Sequence, residues 1–326
     1  MTRPTRLLVP AVVVLAATAT ASCGLGTAGG FTPTGKLAGP LAEIKPLQGS
    51  IAVGSKNFTE QLVLGKMAVI LLKSAGADVK DLTNIPGSAS ARQAQLSDQI
   101  QMQWEYTGTA WISYLGETTP IADPHQQWEA VAQRDIEENH LVWLPPAPMN
   151  NTYGFAAKRE VASRLKISTM SQLKTIPAAQ RTFCVESEFN NRNDGFQPML
   201  KTYGIPLGSG VPKGQVKTLD TGAIYAATDQ GACNFGEVFT TDGRIQSLDL
   251  VVLKDDKKFF PNYNVSPILT EAALKENPQL RELLAPVVKK LDDKTLITLN
   301  AKVDVDGQEP TDVANDWLVA QGFISE

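Results

Sequence analysis

From Ile51 onward the chain alternates short apolar runs with longer stretches whose apolar residues recur three or four positions apart. That is the pattern of strands and helices taken in turn. IAVGS predicts a buried strand, and Leu62, Met67, Leu71 and Leu72 predict a helix over Thr59 to Ser74 with Thr59 placed to cap it. ADVKDLTN, a helix near Ala89 to Leu96, the strand IQMQWEY and a helix near Trp128 to Glu138 continue the series. HLVWLPPAPMNNTYGF passes through a Pro-rich break into a new strand. A second series follows: a partly helical Leu165 to Leu173, FCVES, VKTLD, a helix near Thr221 to Gln230, CNFGEVF and LVVLKD. The alternation predicts α/β architecture with mostly parallel sheet.

Two breaks divide the series. Pro145 to Thr152 reads as a first crossover, and Asp255 to Asn264, polar, aromatic and Pro-containing, as a return. Helices around Glu271 to Leu291 and Thr311 to Ala320 would then rejoin the first half. The expected division is residues 50–148 with 264–326 as lobe 1 and 149–263 as lobe 2, each of ordinary domain size. Two α/β lobes joined by two crossovers leave a ligand cleft between their strand ends, closed by hinge motion.

The N-terminal end has a different character. Arg3 and Arg6 precede the apolar run Leu7 to Ala17, small residues follow, and Cys23 closes the stretch. This is the order of a bacterial signal peptide over residues 1–22. Thr20-Ala21-Ser22-Cys23 is similar to a lipobox, with Thr20 where Leu is usual; an ordinary cleavage site in a secreted protein is the alternative. Residues 23–49, rich in Gly, Thr and Pro, read as a lipidated Cys23 and a flexible tether, so the fold is expected to begin near Leu47. No later apolar run approaches the ~20 residues that span a bilayer. The chain is expected outside the cytoplasm, held at the outer face of the bacterial membrane by lipid and acting as a monomer.

Composition narrows the function. Loss of Arg3 and Arg6 with the leader takes the formal charge from -4 to -6, and the basic residues form no stripe, which argues against nucleic acid. Cys184 and Cys233 open likely strands and either pair in an oxidising exterior or remain buried thiols. His125 and His140 lie among Asp, Glu and Gln, away from any partner at metal-ligand or triad spacing. No Walker A or G-x-G-x-x-G sequence is present. The pairs Asp255-Asp256 and Asp292-Asp293 read as solvated turns. Neither an enzyme nor a metal or cofactor site is expected, and an extracytoplasmic hydrolase is the least supported alternative.

Four rings stand at strand ends or crossovers: Tyr106 in EYTGTAW with Thr109 beside it, Tyr153 in NNTY, Phe239 in VFTTDGRI and Tyr263 in FPNY. Converging on one cleft, their negative faces would hold a quaternary ammonium, each contact contributing about 0.5–2 kcal/mol. At the first strand end, Lys56 and Asn57 either meet a ligand or solvate a turn.

IAVGSKNFTEQ, EYTGTAW, NNTYGF, EFNNRNDGF, FTTDGRI and FPNY, in this order, resemble the substrate-binding proteins of osmoprotectant ABC importers, the glycine betaine, choline and carnitine type. The resemblance implies a two-lobed, type II periplasmic-binding-protein fold and a receptor that hands its solute to ABC permease subunits. It implies cage roles for Tyr106, Tyr153 and Tyr263, and contacts to the ligand's carboxylate or polar tail for Lys56, Thr109 and Arg192. An ion pair of Arg192 with Asp194 or Glu188 is the structural alternative. The chain departs from the family at Phe239, where a tyrosine is usual, and at Asn151, neutral where some members have an acid. Both changes predict weaker attraction for a positive headgroup and leave a neutral aromatic or polyol-like ligand as the second reading.

Overall fold

In a computed structural model the protein is described over residues 32–325. The leader and Cys23 lie outside the described residues. Two five-stranded mixed sheets, each covered by helices, form two lobes.

The first sheet contains β2 (Ser50–Lys56), β3 (Asp78–Ile85), β4 (Met102–Tyr106), β5 (Leu141–Trp143) and β11 (Val265–Thr270), in the order β3-β2-β4-β11-β5. The second contains β6 (Tyr153–Lys158), β7 (Phe183–Val185), β8 (Val216–Thr218), β9 (Phe235–Phe239) and β10 (Leu250–Leu253), in the order β10-β6-β9-β7-β8. The sheets are less parallel than the alternation implied. Strands β2, β3 and β4 run parallel, as do β7, β8 and β9, but β11 is antiparallel to β4 and β5, and β6 to β9 and β10. The reason is the crossing chain: β6 and β11 each enter a sheet from the other lobe and arrive reversed.

Helix α1 (Thr59–Ser74) is the spine of the first lobe. Val63, Leu64 and the run Met67 to Leu72 have no exposed surface, so it is buried on nearly every side, between the sheet and the helices Asp293–Asp304 and Pro310–Ala320. The second lobe has an aromatic core, in which Phe155, Phe183, Phe189, Phe196 and Phe235 are fully buried and Phe155 meets Phe183 edge to face at 5.3 Å. Cys184, inside β7, is joined by a disulfide to Cys233, just before the parallel strand β9, with Cα atoms 5.8 Å apart.

Two boundaries need correction. Thr59 does not cap α1; Phe58 holds the cap position, and the Thr59 hydroxyl instead donates to Asp304 at 2.7 Å. The expected tether is also folded along much of its length. β1 (Lys36–Leu37) pairs with β12 (Ile324–Ser325), and Leu41 and Leu47 are buried in the first-lobe core. Gly and Pro gave this segment a linker's composition, but its two leucines find apolar cover that local sequence does not reveal.

The crossovers lie side by side. The Asn151 N–H donates to the Tyr263 carbonyl at 3.2 Å, and the Tyr263 N–H to Asn150 Oδ1 at 2.8 Å. The disulfide closes a loop 49 residues long, for which chain entropy gives about 4 kcal/mol. Replacing both cysteines by serine should lower the unfolding free energy by about 2–4 kcal/mol in urea titrations, with the ligand site otherwise intact.

Candidate functional site

Sheet register explains why the rings meet. In the antiparallel β6/β9 pair, Tyr153 lies directly opposite Phe239, and their ring centroids are 5.4 Å apart. Tyr106 ends β4 opposite Val265, two residues beyond Tyr263. Tyr263 presents its edge to Tyr153 at 5.3 Å. Gly108, in the turn after Tyr106, permits this approach, since a Cβ there would lie 2.8 Å from the Tyr263 ring.

Around these rings lies a narrow chamber of about 30 Å³, lined by Lys56, Phe58, Ser88, Tyr106, Thr109, Asn151, Tyr153, Phe239 and Tyr263. It shares Lys56, Phe58, Ser88, Tyr153 and Phe239 with an outer cavity of about 450 Å³ between the lobes, where Asn57, Glu186, Glu188, Asp220 and Arg244 also stand. Seven residues expected at the site therefore share the chamber, and Asn57 faces the vestibule. Arg192 lines neither cavity. Its guanidinium forks onto Asp194 at 2.7 and 2.6 Å, reaches Glu188 at 3.2 Å and lies 5.5 Å from the centre of the Tyr153 ring. Arg192 makes the ion pairs given as the alternative, and it lies against the Tyr153 ring.

Lys56 is likewise engaged by the protein. Its ammonium bonds Glu105 at 2.5 Å and sits 4.9 Å from the Tyr106 ring centre. Glu105 also accepts from the Tyr106 N–H and the Tyr114 hydroxyl. Acids 49 residues from Lys56 and two from Arg192 thus compensate the cations proposed as tail anchors.

Two functional candidates escaped the sequence reading. Phe58, 5.1 Å from Phe239 and 6.1 Å from Tyr106, supplies a fifth ring. Its signal was an aromatic residue just before a helix start, beside Lys56. Glu60 lies behind the chamber with almost no exposure. Its Oε1 accepts from the Tyr106 hydroxyl at 2.7 Å and Asn151 Nδ2 at 3.0 Å, and its Oε2 from the Thr241 hydroxyl at 2.5 Å and Asn300 Nδ2 at 3.1 Å. Burial raises this carboxyl, with the four hydrogen bonds opposing. Asn151 is neutral, as its sequence says, yet it carries an acid on its amide.

Tyr263 donates to Asp194 at 2.6 Å much as Tyr106 donates to Glu60. Burial holds both phenols well above their usual range, so the hydroxyls keep their protons and each ring is fixed by a carboxylate. Among the described residues no group of three or more His, Cys, Asp and Glu is arranged for a metal, and both histidines are exposed.

Two lobes joined by two adjacent crossovers, with an aromatic chamber at their junction, are the architecture of a solute-binding protein. The sequence profile of the substrate-binding domain of ABC-type glycine betaine transport systems matches residues 49–320, and the chain belongs to that family. It is 36% identical over 292 residues to the glycine-betaine-binding protein of Pseudomonas aeruginosa, covering 87% of this chain and 90% of that one. It is 32% identical to the ergothioneine transport permease/ergothioneine binding protein EgtU of Helicobacter pylori, over 86% of this chain and 48% of that protein. The apo structure of YehZ from Escherichia coli superposes with a TM-score of 0.62 at 31% identity, over 84% of this chain and 99% of that one.

Glu237, on β9, is buried below the cleft and accepts the Glu186 N–H at 2.7 Å. Burial, with Glu186 nearby, pushes its carboxyl up to about 8 from 4.5. Between those values the folded protein retains a proton that the unfolded chain releases, so stability falls as pH rises through the window. Glu237→Gln keeps an acceptor for that N–H and should remove this fall. Its Tm should gain on the wild type between pH 5 and pH 8 in thermal denaturation.

Proposed function

We propose that the chain is an extracytoplasmic receptor, lipidated at Cys23, that captures a quaternary-ammonium solute of the glycine betaine type and delivers it to an ABC permease. The observation that carries this reading is the convergence of Phe58, Tyr106, Tyr153, Phe239 and Tyr263 on one chamber with the Glu60 carboxylate behind it. A trimethylammonium group offers no N–H to donate, so ring faces hold it where hydrogen-bond acceptors would go unsatisfied. Phe239 keeps a π face without a hydroxyl, and Glu60 places an acidic group behind Asn151 and the Tyr106 ring.

The chamber is narrow because the rings lie against each other, so a headgroup enters as the lobes part about the paired crossovers. The outer cavity favours a second reading. At about 450 Å³ it exceeds what glycine betaine fills, and a betaine carrying a heterocycle, as ergothioneine does, would extend into it.

Calorimetric titration with glycine betaine, choline, carnitine and ergothioneine tests the reading. At least one should bind, and Tyr153→Ala should weaken it tenfold or more, about 1.4 kcal/mol. No heat with any of them at millimolar concentration would remove the ligand assignment. Radiolabelled palmitate should enter the wild type expressed in a bacterial host and not Cys23→Ala.

A further inference from the structure

The corner of the cleft beside Lys56 already holds a carboxylate, and it belongs to the protein. Glu188, on the short helix Ser187–Asn191 of the second lobe, reaches across the cleft so that its Oε2 accepts the Ser88 N–H at 2.9 Å. Ser88 opens the helix Ser88–Leu96 of the first lobe, where free N–H groups favour an anion. The other oxygen accepts from Arg192 at 3.2 Å. Burial opposes the charge on Glu188, but Ser88, Lys56 and Arg192 more than offset it and hold the carboxyl below the usual range. Lys56 and Ser88 line the chamber and the vestibule alike, so this corner lies where a tail leaving the cage must pass.

We infer that Glu188 sets selectivity for the ligand's tail, because its carboxylate occupies the anion corner of the cleft and a carboxylate-bearing ligand must displace or repel it. The inference rests on the quaternary-ammonium reading for its headgroup. An alcohol tail meets no such conflict, whereas two carboxylates close together in the cleft oppose each other. The same hydrogen bond ties lobe to lobe, so the contact between the lobes is held in part by the group a zwitterion would replace.

Glycine betaine and choline differ mainly in their tails and make a matched pair for calorimetry on the wild type, Glu188→Gln and Glu188→Ala. Glutamine keeps an acceptor for the Ser88 N–H and removes only the charge, which separates repulsion from a lost latch. In both variants the ratio of glycine betaine to choline affinity should rise about tenfold or more. An equal change for both solutes, or a fall in the ratio, would overturn the inference while leaving the family's headgroup site standing.

Sodium acetate, compared with sodium chloride at matched ionic strength, probes the corner without the cage. It should raise the Tm of Glu188→Ala and leave the wild type unmoved. If the wild type binds neither solute, the proposed ligand falls and the acetate comparison decides alone. No acetate-dependent rise in the alanine variant then counts against Glu188.

Discussion

The Glu60 carboxylate is where the structure is joined. It sits in the first turn of α1, the buried spine of one lobe, and receives hydrogen bonds from a cage tyrosine, the first crossover, the segment after β9 in the other lobe, and the helix Asp293–Asp304. Four donors on two oxygens make a fully used acceptor, and a buried carboxyl is tolerated only on such terms. Removing the charge would leave polar groups of both lobes facing a dry space. The position of the Tyr106 ring and a contact between the lobes therefore depend on one side chain.

Arg192 and Lys56 show the same economy from the other side. Each cation lies over a tyrosine of the chamber and each is answered by acids of the protein. Their contribution is thus to fix rings and loops. The proposed headgroup would enter a place already arranged by these contacts, the cost of arranging it having been met in folding.

Much of this was legible in the sequence because it depends on periodicity and on position. Alternating strands and helices, Pro-rich crossovers and rings at strand ends are local signals, and the β6/β9 pairing turns two of them into neighbours. What was not legible depends on partners far away in the chain. Glu60 in a first helical turn reads as an ordinary companion to the helix dipole. Lys56 looks free until Glu105 is brought to it, and nothing near Glu188 in the chain points to Ser88, 100 residues away. Leu41 and Leu47 stand among glycines and prolines that suggest a linker, and only the first-lobe core shows where they go.

The pairing of Lys36 and Leu37 with Ile324 and Ser325 also sets a length scale. Fully extended, the chain from Cys23 to Lys36 spans at most about 45 Å, whereas a free chain as far as Gly49 would reach about 90 Å. In the proposed anchoring at Cys23, the shorter reach would keep the receptor in a shallow layer over the membrane, and the pull of the anchor would fall on the first lobe through β1. The second lobe would carry none of that load.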